Sequence, residues 1–250
     1  MLAFDIFQNK YYLEILFEAN QPRTYTITKK LHHMNPNPDA KRILCYGDSN
    51  TWGRSGKSVT RYPSNIRWTG LLQEKLSSNY EIIEEGLRSR TTDIDDDDPE
   101  FPGRNGLEFL RPCLESHNPL DLIILWLGTN DLKSRFNRKP EDVGVGLKKN
   151  IELIQAIAKD AQGNQSQILL IGPPLIFETH LGSGTQFAGA QKKSEELGLV
   201  YEQIAKDFDC TFLDLSQVVQ PGAYDGVHLE PESHPIVADL MFEVVTKLCL

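Results

Sequence analysis

Five short apolar runs, each bounded by glycine, proline, aspartate or asparagine, limit the folds that are open to this chain. They are rich in isoleucine and leucine, and they cover residues 42–46, 80–84, 121–127, 167–171 and 211–215. Runs of this length and composition are typical of strands that are buried on both faces. The sequence therefore predicts a five-stranded sheet with both faces covered.

Helical patterns lie between these runs. Apolar residues recur there three and four positions apart, which predicts a helix with one buried face. The four stripes are Trp68, Leu71, Leu72 and Leu76; Leu147, Ile151, Ile154 and Ala158, in a helix opened by Pro140; Leu197, Tyr201, Ile204 and Phe208; and Ile236, Leu240, Val244 and Leu248, in a helix after Pro231. Strands that alternate with helices indicate an α/β fold with a parallel sheet.

The first forty residues do not follow this alternation. Residues 11–28 read as a hairpin with its turn at Asn20-Gln21-Pro22, and residues 35–39 read as a linker. We therefore expect an N-terminal arm at 1–40 and one domain at 41–250. The arm either covers a sheet edge or a partner, or is an overlong start with Met34 as the true first residue.

Charge and hydropathy exclude several classes of function. The net charge of −9 over 250 residues disfavours a nucleic-acid partner, which would attract a basic surface. No apolar stretch approaches the roughly 18 residues of a membrane span. The N-terminus lacks the basic start and the small-residue cleavage site of a signal peptide, so we expect a cytoplasmic protein.

The sequence favours neither a metal site nor a disulfide framework. Its four cysteines, Cys45, Cys113, Cys210 and Cys249, are far apart and form no CxxC pair, which predicts reduced thiols. The acidic stretch 93–100 does not fit an EF-hand, which needs glycine and glutamate where Asp98 and Arg104 stand. His117 and His234 have no second ligand close in sequence.

Polar residues follow the predicted strands. Ser49 comes just after the first, residues 84–92 follow the second, Asn130 follows the third, and Asp225 and His228 follow the fifth. In a doubly wound sheet these segments meet at one rim, where such folds bind ligands. They supply what acyl transfer needs: a hydroxyl nucleophile, a histidine base, a carboxylate to orient it and an amide donor. Taken singly, Ser49 reads as a helix cap, Asn130 as a turn residue and Asp225-x-x-His228 as a helix entry.

Several sequence blocks resemble one enzyme family. The stretches "GDSNTWG", "GTND" and "DGVH", at about residues 41–250, are similar to the blocks of the SGNH, or GDSL, hydrolases. Between them, "RYP…RWTG" and "IEEGLRSRTT" resemble the arylesterase and acyltransferase branch. The resemblance implies a flavodoxin-like three-layer α/β/α sandwich with a five-stranded parallel sheet in the order 2-1-3-4-5.

The resemblance also assigns roles to residues. It implies Ser49 as nucleophile, His228 as base and Asp225 as its partner. It implies an oxyanion hole built from the backbone N–H groups of Ser49 and Ser89 and the side chain of Asn130. Ser89 departs from the glycine or alanine that is common at its position.

Four more residues are candidates for the pocket wall. They are Asp48, Asn50, Trp52 and Lys133. Asn50 stands where the family often has leucine, which predicts a more polar rim. Trp52 follows Ser49 by one helical turn. Lys133 follows "GTND", although a surface lysine is the simpler interpretation.

The resemblance implies a cofactor-free serine esterase. It would act on short-chain aryl or alkyl esters through an acyl-serine intermediate, with acyl transfer when an alcohol competes with water. It also implies a homo-oligomer. The alternatives are a non-catalytic ligand-binding module on the same fold and a flavodoxin-like cofactor binder, although no glycine-rich phosphate loop follows the first strand.

Overall fold

The computed structural model describes residues 11–14, 24–27 and 35–248. The chain divides into two compact units, Met1–Pro36 and Asn37–Leu250. In the first unit, β1 (Tyr11–Glu14) pairs antiparallel with β2 (Thr24–Ile27), as the strands of a hairpin do. The predicted turn at 20–22 lies outside the described residues. The role of the arm stays a prediction.

The second unit is built on a parallel sheet. Its strands are β3 (Lys41–Gly47), β4 (Tyr80–Gly86), β5 (Leu122–Trp126), β6 (Gln167–Gly172) and β7 (Thr211–Asp214). Their order is β4-β3-β5-β6-β7, and every neighbouring pair is parallel. The five predicted strands and their order are therefore confirmed. The predicted burial on both faces is wrong for β4 and β7, which are half-buried because each has a neighbouring strand on one side only.

Helices follow each of these strands and cover both faces of the sheet. They are α1 (Ser49–Trp52), α2 (Trp68–Leu76), α3 (Gly106–His117), α4 (Pro140–Ile157), α5 (Ala190–Asp207) and α6 (Ser233–Leu248). Among the helices that the structure describes, none combines the length and the apolar composition that a bilayer crossing needs. Sequence reasoning missed α3, which contains Pro112. The signal was present in Asn105, whose side chain accepts the backbone N–H of Glu108 at 3.4 Å.

Two apolar clusters give the unit its three layers. Successive residues of a strand point to opposite faces, so Leu44 joins one cluster and Cys45 joins the other. The first cluster lies between the sheet and α3, α4 and α5, and the second lies between the sheet and α2 and α6. The sheet is therefore fixed from both sides, and its carboxyl edge is left for the polar loops.

Candidate active site

Ser49, His228 and Asp225 form one hydrogen-bonded chain at the carboxyl edge of the sheet. The distance from His228 Nε2 to Ser49 Oγ is 2.8 Å, and the distance from His228 Nδ1 to Asp225 Oδ2 is 2.6 Å. All three residues are buried. A hydroxyl, an imidazole and a carboxylate in this order have the geometry of a nucleophile, its base and the group that orients the base.

The Asp225 carboxylate also folds the loop that carries His228. Its Oδ1 atom accepts the backbone N–H groups of Val227 at 3.1 Å and His228 at 3.0 Å. Gly226, between Asp225 and Val227, has a φ of 66°, and a Cβ atom there would collide with the carbonyl of Phe177. The Asp-Gly-x-His spacing thus lets one carboxylate hold both the backbone and the ring of the histidine.

Asn50 connects this loop to the nucleophile. Its Nδ2 atom donates to the carbonyl of Val227 at 3.2 Å, and its Oδ1 atom accepts the N–H of Leu229 at 3.0 Å. These bonds lie on either side of His228 in sequence. Because Asn50 directly follows Ser49, the amide fixes the distance between nucleophile and base.

The environment keeps the base neutral and its partner ionised. Burial lowers the pKa of His228, and although the Asp225 carboxylate opposes this shift, Arg54 and Lys133 add to it. Burial by itself raises the pKa of Asp225, but the hydrogen bonds from His228 and from two backbone N–H groups lower it overall. A neutral imidazole is the form that takes a proton from serine.

Three donors of the implied oxyanion hole face the same cavity. Ser49, Ser89 and Asn130 all line it. No acceptor within the described residues takes the backbone N–H of Ser49 or Ser89. Asn130 Nδ2 donates one hydrogen to the carbonyl of Arg90 at 3.1 Å, which leaves its second hydrogen for a ligand.

Ser89 has an unusual backbone. Its φ of 65° lies in the left-handed region, which side chains disfavour and glycine adopts freely. This conformation explains why glycine suits the position. Serine keeps the backbone N–H and bears a local conformational cost.

Two buried side chains that sequence reasoning missed support these donors. Arg90 lies over the ring of Tyr46 and donates to the carbonyls of Gly47, at 3.0 Å, and Glu85. Asp131 accepts the backbone N–H of Thr92 at 3.0 Å and is paired with Arg138 at 2.7 Å. Together they tie the loops after β3, β4 and β5, so the three donors keep a fixed spacing. "GTND" contains Asp131, and that was the signal available from the sequence.

The cavity in front of the triad has a volume of about 400 Å³. Ligand sites typically measure about 300–1,000 Å³. Besides Ser49, His228, Ser89 and Asn130, it is lined by Arg54, Val59, Arg88, Glu100, Phe101, Lys133, Gln186, Phe187 and Val227. Sequence reasoning missed Arg54 and Arg88. Arg54 Nη1 lies 3.3 Å from Asp225 Oδ2 and 2.9 Å from His228 Nδ1.

Comparison with known proteins assigns the family. The model of the GDSL-like lipase/acylhydrolase family matches residues 45–236. The chain belongs to this family. It is a carboxylic ester hydrolase, and no curated protein matches it.

Solved structures agree with this family. The native aryl esterase of M. smegmatis is 36% identical, with 84% of this chain and 100% of that chain covered and a TM-score of 0.77. A carbohydrate acetylesterase family member from Sinorhizobium meliloti is 34% identical, with 83% and 98% covered and a TM-score of 0.78. A member of the lipolytic G-D-S-L family from Veillonella parvula, 18% identical over 84% and 100% with a TM-score of 0.62, shows the fold alone.

Three of the four residues predicted to line the pocket of this GDSL hydrolase lie elsewhere. Asp48 is fully buried under α1, where its side chain accepts the N–H of Asn50 at 2.9 Å and burial raises its pKa to about 6. Asn50 holds the histidine loop. Trp52 is the last residue of the one-turn α1, and its ring faces the guanidinium groups of Arg61 and Arg88. Lys133 does line the cavity, and it is buried rather than a surface lysine.

One set of possible metal ligands lies away from the cavity of the GDSL hydrolase. Ligand atoms of Glu85, Cys113 and His117 lie within 4.8 Å of one another. Sequence reasoning missed the set because Glu85 ends β4 while the other two residues lie on α3. His117 Nε2 pairs with Glu85 Oε1 at 3.0 Å, and burial raises the pKa of Cys113 to about 12. The cluster is therefore a hydrogen-bonded histidine and carboxylate beside a protonated thiol. Cys45, Cys113 and Cys210 are free, and Cys249 lies outside the described residues.

Proposed function

We propose that this GDSL hydrolase cleaves short-chain aryl or alkyl esters through an acyl-Ser49 intermediate. Ser49 Oγ attacks the ester carbonyl while His228 Nε2 takes its proton. Asp225 accepts the Nδ1–H bond and stabilises the imidazolium that forms. The N–H groups of Ser49 and Ser89 and the amide of Asn130 bind the oxyanion.

The second half of the reaction reverses these roles. The alcohol leaves with the proton from His228. His228 then takes a proton from water, which attacks the acyl carbonyl and releases the carboxylic acid and free Ser49. An alcohol that replaces water at this step gives acyl transfer with the same groups. Homo-oligomer formation and a cytoplasmic location stay predictions.

The observation that carries the proposal is the unbroken chain from Ser49 through His228 to Asp225. Its two distances are 2.8 Å and 2.6 Å, and it opens into the cavity that Ser89 and Asn130 line. A non-catalytic ligand-binding module would have no use for a serine aligned with a neutral imidazole. The aryl esterase and the carbohydrate acetylesterase among the structural neighbours support ester substrates. The size of the cavity favours short acyl groups.

The proposal is tested with a fluorophosphonate probe, which reacts covalently with activated serines. We expect the wild type to carry one label on the peptide that contains Ser49, identified by mass spectrometry. Ser58→Ala removes an exposed serine and is the matched control, so it should label like the wild type. Hydrolysis of p-nitrophenyl acetate and butyrate should exceed that of the octanoate. An unlabelled, folded wild type without esterase activity would favour the binding module.

Asn130→Ala should lower kcat by about 10²- to 10³-fold, as loss of one oxyanion donor does in other hydrolases. The amide donates to charge that develops only in the transition state, so KM should change little. Steady-state kinetics with p-nitrophenyl acetate measure both constants. Asn79→Ala, at an exposed position, is the control. Because Asn130 also binds the Arg90 carbonyl, a thermal melt must show that the variant is folded. A folded variant with wild-type kcat would remove Asn130 from the mechanism.

The pH dependence of kcat/KM should show a midpoint below the ordinary histidine value of about 6.5. Only the neutral imidazole accepts the serine proton, so activity should be lost as pH falls through the lowered pKa of His228 and be constant above it. Arg54→Gln removes a positive charge that disfavours the imidazolium, and it should move the midpoint upward. A wild-type midpoint above the ordinary value would contradict the electrostatic description of the site.

A further inference from the structure

The cavity in front of the triad is positively charged, although the chain has a net charge of −9. Arg54, Arg88 and Lys133 line it, and Glu100 is the acidic residue among its lining side chains outside the triad. Glu100 is exposed, so water screens its charge. The negative net charge of the protein does not explain why these cations lie together. Their concentration in the cavity points to an anionic ligand.

Lys133 is a buried cation without a hydrogen-bond partner among the described residues. Its side chain is 4% exposed, and the nearest carboxylate oxygen, Asp96 Oδ2, is 3.9 Å from Nζ. That oxygen already accepts from Arg135. Burial and the charge of Arg135 lower the pKa of Lys133 to about 8. The Phe101 ring, whose centre is 5.1 Å from Nζ, offsets part of the cost of burying this ammonium. The ammonium still lacks a hydrogen-bond acceptor, which an anionic ligand would supply.

Arg88 presents a second cation to the cavity, next to the oxyanion residue Ser89. Its guanidinium lies 5.3 Å from the centre of the Trp52 ring, which orients it without using its N–H donors. Within the part of the chain that the structure describes, no carboxylate pairs with it. Its fork of donors fits a carboxylate, which binds two N–H groups at once.

Because of Arg54, an anionic group on the substrate would assist the reaction as well as the binding. When His228 Nδ1 donates to Asp225, it carries a hydrogen and cannot accept one from Arg54. The 2.9 Å distance between Arg54 Nη1 and His228 Nδ1 is then a contact between two donors and not a hydrogen bond. Arg54 therefore shares a single carboxylate oxygen with His228. Its positive charge opposes the imidazolium that forms during acylation. An anionic substrate would offset this charge in the transition state.

We propose that the preferred esters of this site carry a carboxylate, which binds Arg88 and Lys133 within reach of Arg54. A half-ester of a short dicarboxylic acid supplies the ester bond and the anion in one molecule of the size that the cavity admits. Its hydrolysis consumes one water and gives the dicarboxylate, the alcohol and a proton. The proposal rests on the esterase function proposed above and narrows its substrate class.

Two pairs of substrates with matched shapes test this preference. In the first pair, monoethyl succinate has a carboxylate on the acyl side of the ester, and ethyl succinamate has a neutral amide in its place. In the second pair, 4-acetoxybenzoate has a carboxylate on the alcohol side, and 4-acetoxybenzamide has a neutral amide there. A hydrogen-bonded charge contributes roughly 1.5–3 kcal/mol, so we expect kcat/KM to favour the anion by about tenfold to a hundredfold in at least one pair. The preference should shrink as salt is added.

Variants connect the preference to the cations. Arg88→Gln and Lys133→Met should bring the anion-to-neutral ratio of kcat/KM close to one. Arg111→Gln is the matched control, because Arg111 is exposed on α3 and pairs with Glu115 away from the cavity. It should keep the wild-type ratio. A preference that survives both cavity variants would contradict the proposed site.

The experiment separates this proposal from the proposed function. If p-nitrophenyl acetate is hydrolysed through Ser49 and neither pair shows a preference, the esterase stands and the anion site is wrong. If no ester is hydrolysed, the esterase proposal is wrong, and calorimetric binding of monoethyl succinate and ethyl succinamate to Ser49→Ala decides the anion site. Tighter binding of the anion supports it, and equal or absent binding of the two overturns it.

Discussion

Ser49→Ala is expected to lower kcat for p-nitrophenyl acetate by about 10⁴- to 10⁶-fold, the range seen when other serine hydrolases lose their nucleophile. Without the hydroxyl, no acyl-enzyme forms, and the slow remaining reaction uses only the oxyanion donors and the bound water. The side chain of Ser49 makes one hydrogen bond, to His228 Nε2, so the fold should persist. Steady-state assays would measure the loss of turnover, and mass spectrometry of the quenched reaction would show that no acyl-enzyme forms.

The same exposed-serine variant, Ser58→Ala, serves as the control and should keep the wild-type rate. A circular dichroism melt of Ser49→Ala would exclude unfolding as the cause of a low rate. If Ser49→Ala kept more than a few per cent of wild-type turnover, another residue would have to be the nucleophile.

Asp225→Asn is expected to lower kcat by about 10⁴-fold, as the same change does in a serine protease triad. The Oδ1 position accepts the N–H groups of Val227 and His228, so the amide oxygen of asparagine should remain there. Its NH₂ group then faces His228 Nδ1 and donates to it. This hydrogen bond favours the histidine tautomer that has its proton on Nε2. An Nε2 atom that is already protonated cannot take a proton from Ser49.

Arg54 should add to this loss, because Asp225→Asn removes its anionic partner beside the imidazole. Asp209→Asn is the control, since Asp209 is exposed and its φ of 53° is tolerated by asparagine. A histidine NMR spectrum of the variant should show the changed tautomer. Wild-type turnover in a folded Asp225→Asn protein would mean that His228 does not depend on Asp225 for its orientation.

The central strands β3, β5 and β6 were predictable because they are largely buried on both faces, which gives each of them an apolar run. The edge strands β4 and β7 are half-buried, and their shorter apolar runs were recognised with the help of the turn residues that bound them. α3 was hidden because Pro112 breaks the usual composition of a helix, although Leu110 and Leu114 lie one turn apart and are buried. The three candidate triad residues were predicted to meet because each follows a strand whose end lies at one edge of the sheet, and the family resemblance supplied their roles.

The cavity wall was not predictable in the same way. Arg54 and Arg88 lie on loops, and whether a loop side chain faces a cavity depends on the packing of distant segments. Trp52 was placed in the pocket on helical spacing, but α1 ends after one turn and Trp52 turns towards Arg61 and Arg88. Lys133 resembles a surface lysine in sequence but is buried in the structure, where Asp96 and the ring of Phe101 lie beside its ammonium.

The hydrogen bonds of the Asn50 amide also make catalysis depend on a late step in the folding of the chain. Ser49 and His228 are 179 residues apart in sequence, and Asn50 reaches Leu229 across the same separation. The nucleophile is therefore paired with its base only after the last strand and the following loop have docked. Ester hydrolysis thus requires the completely folded unit. Partly folded chains of this protein lack activity even when most of their sheet has formed.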